Sequence, residues 1–159
     1  MNSDLTSLQE FYRDALARLL RHQAGARLIT QYDANNTYQY IINREETHLS
    51  WLAAAIVALG GNVDEAGAEP TRTGGRDAAH AVMDEDAKDS RAFVDRWRPR
   101  VDAMANARHG KMLKLILGEV LEQKRFFDQA LAGRTDLLGR RGAQVGPSHG
   151  QVLPARWIE

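Results

Sequence analysis

The sequence has 159 residues and not one cysteine. Disulfides, thiolate metal sites and cysteine nucleophiles are therefore excluded. It also lacks an excess of charge: 21 Lys and Arg face 21 Asp and Glu, for a formal net charge of +0. A balanced chain carries no electrostatic footprint for nucleic acid or an anionic bilayer, so neither is expected as a partner. The longest apolar run, residues 51–59, falls far short of the roughly 20 residues that span a membrane. The first residues have neither a basic start nor an apolar stretch, so no signal peptide is expected. With the missing cysteine, this points to the cytoplasm. There is no Gly-x-Ser-x-Gly elbow, and Thr73-Gly74-Gly75-Arg76 lacks the Lys-Ser/Thr of a phosphate loop. No His-x-x-x-His pair accompanies His22, His48 and His109.

What remains is helical period. Hydrophobic residues make up 43% and charged residues 26%, the balance of one globular domain. Leu5, Leu8, Tyr12, Ala15, Leu19, Ala26 and Ile29 recur at spacings of three or four. They predict a first helix from Ser3 or Asp4 to about residue 32, interrupted by Gly25. A turn over residues 33–36 leads to a second helix, marked by Tyr38, Ile41, Ile42, Leu49, Leu52, Ile56 and Leu59 and stopped by Gly60-Gly61. Residues 62–84 have no period and read as a long loop. A third helix runs from about Asp86 to Ala105 on Phe93, Trp97, Val101 and Met104, with Pro99 expected to kink or break it. A fourth, from about Arg108 to Ala132, buries Met112, Leu113, Ile116, Val120, Phe127 and Leu131. From residue 134 the chain is rich in Gly and Arg and is expected to be a flexible tail. Its apolar end, around Trp157 and Ile158, could dock on its own bundle or on a partner.

The fold class is therefore all-α, a bundle over residues 1–133 with a tail over 134–159. Two short turns make two antiparallel hairpins. The long connection lets helix three run parallel to helix two, which is the ferritin-like arrangement with one crossover.

Glu45 and His48 are three residues apart, on the apolar stripe that also carries Ile41 and Leu52. A charge on a core face is expensive unless it is paired or metal-bound. Carboxylate and imidazole at this spacing can bind iron, manganese or zinc. The segment Glu45-Glu46-Thr47-His48-Leu49-Ser50-Trp51-Leu52, running on to Ala58-Leu59-Gly60-Gly61, resembles the second helix of the ferritin-like, rubrerythrin-related families.

The resemblance implies a core site for iron or manganese with redox chemistry toward oxygen or peroxide, and it asks for ligands on the other helices. Helix one offers Gln23 opposite Glu45, with His22 beside it. Helix three offers no inward carboxylate, since Asp95 points outward. Helix four offers Glu119, with Glu122 where a second histidine is expected.

Three readings of Glu45 and His48 follow. They form a structural pair bonded to each other and to Gln23. Or they hold a reduced metal site with Glu119 and with Glu122 or His22. Or they belong to a complete two-metal centre. The alternative function is a bundle without metal that serves as an interaction or scaffold protein. A homodimer is expected in either case, through an exposed helix face or the tail.

Overall fold

The computed structural model describes residues 3–63, 67–134 and 137–138. These residues form four helices and no strand: α1 (Ser3–Ala26), α2 (Tyr32–Ala58), α3 (Ala78–Asp102) and α4 (Ala107–Leu131). None of the four is long and apolar enough to cross a membrane. The expected tail lies almost wholly outside the described residues.

Local chemistry explains where the helices stop. α1 ends at Ala26, earlier than the apolar period suggested, because Asn35 of the next helix caps it. The Asn35 amide donates to the carbonyls of Ala26 and Ile29, both at 2.9 Å. α2 starts at Tyr32 under Gln31, whose side chain accepts from the Ala34 amide at 2.7 Å. Residues 33–36, expected as a turn, are therefore helical. At its other end Gly60 takes φ 84° and Gly61 N–H returns to the Ile56 carbonyl at 2.9 Å, a left-handed glycine stop. Asn106 caps α4 by accepting from the amides of Arg108 and His109.

α3 begins at Ala78, not near Asp86, and shortens the crossover expected over residues 62–84. Its first turns bury little beyond Val82, so their period is faint. The helix also runs on through Pro99 to Asp102. The carbonyl that Pro99 leaves without a partner belongs to Asp95, which faces solvent.

End contacts fix the directions. A Cβ on Gly61, just past α2, would meet Leu5 at the start of α1. Gly25, at the end of α1, packs on Val82 at the start of α3, while Arg100 at the end of α3 pairs with Glu10. Hence α2 and α3 both run antiparallel to α1 and parallel to each other. α4 returns alongside: Asp4 accepts from the amides of Ala105 and Asn106, and Tyr40 lies edge-on to Phe126. The crossover climbs the α1/α3 side of the bundle, with Arg72 donating to the Arg21 carbonyl and pairing with Asp86. Among the described residues it leaves the α2/α4 side open.

The apolar core is fullest toward one end. Phe11 meets Phe93 and Trp97 edge-on at 5.2 and 4.9 Å between ring centres, and Leu8, Leu52, Ile56 and Leu113 close around them. Each such side chain contributes about 1.5–3 kcal/mol by leaving water. Trp97 donates its indole N–H to Asp14 at 2.8 Å. Toward mid-height the core turns polar.

Candidate functional site

Every helix sends polar side chains inward one turn apart. α1 gives Arg18 and His22, α2 gives Glu45 and His48, α3 gives Asp86 and Ser90, and α4 gives Glu119 and Gln123. All but Glu119 are buried. In each pair the spacing of three or four residues puts both side chains on one helix face.

Arg18 stands at the centre and is 4% exposed. Its Nη2 donates to Ser90 Oγ at 2.8 Å and to Gln123 Oε1 at 3.3 Å. Its Nε donates to Asp89 Oδ2 at 3.2 Å. Its Nη1 lies 3.6 Å from Glu45 Oε2. One guanidinium of α1 thus reaches α2, α3 and the diagonally opposite α4, and it rests on the Phe93 ring. Arginine suits this place because its fork offers five donors that stay charged when buried.

Glu45 is held from the other side. His22 Nδ1 donates to Glu45 Oε1 at 2.8 Å, and the His22 ring is fully closed to water between Tyr38 and Phe127. His22 Nε2 and Glu45 Oε2 make no hydrogen bond.

His48 faces a different carboxylate. Its Nε2 donates to Glu119 Oε1 at 3.0 Å, and Arg44 grips the same carboxylate through Nε at 2.9 Å and Nη2 at 2.8 Å. Burial pushes the His48 imidazole below its ordinary value, against the opposing pull of Glu119. Burial also acts to raise Glu119, but the Arg44 bonds and the adjacent His48 outweigh it and hold the carboxyl below the usual range.

The second diagonal is spanned by Tyr38 and Asp86. The Tyr38 hydroxyl donates to Asp86 Oδ2 at 2.6 Å. Arg72, reaching in from the crossover, donates to both oxygens of Asp86 at 3.0 and 3.2 Å. Burial, then the Asp86 charge, lift the Tyr38 phenol well above its ordinary value. Gly25 makes room for Arg72: a Cβ there would stand 2.8 Å from the guanidinium.

Of the five residues singled out as metal ligands, Glu45, His48 and Glu119 share this layer. Glu45 and His48 are not bonded to each other, and each has its own partner. Gln23 does not meet Glu45; it lines an outer groove, and its neighbour His22 takes the inward place. Glu122 is half-exposed and lies 3.7 Å from Arg125. Asp95 is exposed beside Arg91, as expected. Among the described residues no three His, Asp or Glu side chains are grouped to hold a metal ion.

Sequence reasoning missed Arg18, Asp86, Ser90, Gln123 and Arg72. A signal existed for two of them: Arg18 lies three residues after Ala15 and four before His22, on the buried stripe, and Gln123 lies three after Val120. No family model, curated protein or solved structure matches this chain.

Proposed function

We propose that this chain is a ferritin-like bundle whose core carboxylates are neutralised by its own arginines, and that it serves as an interaction or scaffold protein rather than a metal-dependent oxidoreductase. The parallel α2 and α3, joined by the crossover, support the ferritin-like assignment. The observation that carries the functional reading is Arg18. A cation entering beside Glu45 meets a guanidinium 3.6 Å from the carboxylate, and like charges this close in a buried site repel strongly. Glu119 is likewise taken by Arg44, and Asp86 by Arg72. The residues as they stand do not fit a metal ion.

The side of the bundle left open by the crossover supports a binding role. Tyr40 on α2 is 40% exposed and Leu115 on α4 is 54% exposed. A homodimer formed there is part of this reading. Light scattering tests it: the wild-type chain is expected at twice its monomer mass and Leu115→Glu at the monomer mass. A wild-type monomer would remove the homodimer.

One observation favours the metal reading, with iron or manganese on Glu45, His48 and Glu119: Oε2 of Glu45 accepts no hydrogen bond. That reading requires Arg18 and Arg44 to leave their carboxylates. Thermal melts with and without ferrous iron and manganese separate the two, because a ligand that binds only the folded state raises its stability. No shift is expected.

A further inference from the structure

Outside the polar layer, a groove of about 550 Å³ lies between the end of α1, the first half of α2 and the crossover. That volume falls within the range of ligand-binding clefts. Its lining is unusual for this chain. The sequence holds fourteen Asn and Gln, and four of them, Gln23, Asn35, Gln39 and Asn43, face this one groove. Asn35, Gln39 and Asn43 recur at every fourth residue along α2, and Gln23 stands across from them on α1.

Asn35 is fixed by its two bonds to the α1 end, which leaves its Oδ1 as the free acceptor. The side chains of Gln23, Gln39 and Asn43 make no hydrogen bond among the described residues. Ala26 and Ile42 form a buried apolar floor. Arg27 and Glu69 are tied to each other through two hydrogen bonds, which leaves Glu46 as the groove's unpaired charge.

A carboxamide donates and accepts at once, so a row of them matches a ligand whose donors and acceptors alternate. Sugars, nucleobases and polypeptide backbone have that property. Sugars and nucleobases bind with a face stacked on an aromatic ring, and no aromatic side chain among the described residues lines this groove. Spacing favours the backbone. Residues four apart on a helix rise about 6.0 Å. An extended chain presents N–H and C=O on one edge about every 6.6–6.8 Å, twice its rise per residue. Three carboxamides therefore keep step with two intervals of an extended chain to within about 1.6 Å, inside the reach of Gln and Asn side chains.

We propose that this groove binds an extended peptide segment of a protein partner, its backbone read by Gln23, Asn35, Gln39 and Asn43 and a lysine or arginine of the segment paired with Glu46. The proposal rests on the interaction reading above and names the kind of partner that reading needs.

The test uses the full chain and the side-chain NH2 signals of the four carboxamides in nitrogen-15 NMR. The probe is a capped seven-residue peptide of alternating valine and threonine with one central lysine. Titration to millimolar concentration is expected to shift these signals. The same peptide N-methylated at alternate residues is expected to shift none, because the edge N–H groups are gone. Glu46→Gln is expected to weaken binding about tenfold, and Gln39→Ala together with Asn43→Ala to abolish it. Absence of any shift with the peptide, equal shifts with the N-methylated form, or shifts with maltotetraose alone would overturn the proposal. Metal uptake by the wild-type chain would strike at the scaffold reading instead, so the two failures are distinguishable.

Discussion

The Arg18 guanidinium lies 3.6 Å from the Glu45 carboxylate, with both side chains about 95% closed to water. Two charges so placed are worth little as a pair, since desolvation offsets attraction, but each is costly without the other. Arg18→Ala is therefore expected to lose about 3–5 kcal/mol in urea denaturation. In a double variant with Glu45→Gln the loss is expected to be smaller than the sum of the single losses, by about 0.5–3 kcal/mol. Additive losses would show that Arg18 acts through Asp89, Ser90 and Gln123 and not through Glu45.

Tyr38→Phe keeps the ring packing on Phe127 and removes one donor from buried Asp86, with Arg72 left in place. A hydrogen bond to a charged group contributes about 1.5–3 kcal/mol, and a loss of that size is expected in thermal or urea melts. The phenol also predicts an alkaline limit. Its folded value lies well above 10, so above pH 10 the unfolded chain gives up the proton while the folded chain retains it. Stability then falls as pH rises. The slope above pH 10 is expected to shrink in Tyr38→Phe.

On the acid side His48 and Glu119 act in the same direction. The His48 folded value lies below its ordinary 6.5, so below that pH the unfolded chain binds more protons and stability drops as pH falls. Glu119, held below 4.5, contributes stability above that pH and loses it as pH falls through its folded value. Stability measured from pH 7 to pH 3 is expected to fall in two stages. His48→Gln should flatten the first stage and Glu119→Gln the second.

Two glycines separate packing from propensity. Gly118 on α4 faces open space, and Gly118→Ala is expected to stabilise by about 0.5–1 kcal/mol. Gly25 sits under Arg72 and Val82, each 2.8 Å from a new Cβ. Gly25→Ala is expected to destabilise by about 1–3 kcal/mol, as overpacking does, by pushing the crossover off Asp86. Matched thermal melts compare the two.

The four helices and the Gly60 stop were legible because apolar period and a left-handed glycine are local signals. The start of α3 was not, since Ala78 to Glu85 bury little besides Val82. The place of Glu45 and His48 on a buried face was also legible. Their partners were not. The expected meeting of Gln23 with Glu45 assumed a first helix running to residue 32. α1 ends at Ala26, and His22, on the buried stripe of Leu8, Leu19 and Ala26, takes the inward place instead. Arg18 sits on the apolar stripe, but long cations in that position ordinarily reach out to water, so the stripe alone does not reveal a buried one. Arg72 lies in a loop with no period, and its contact with Asp86 depends wholly on the fold.

The central claim is that arginine, not a metal ion, balances the core carboxylates. Elemental analysis of the untagged chain after anaerobic loading with ferrous iron and manganese tests it most directly. The account predicts no metal retained per chain after gel filtration. One or two ions per chain, lost in Glu45→Ala, would contradict it and return the site to metal chemistry.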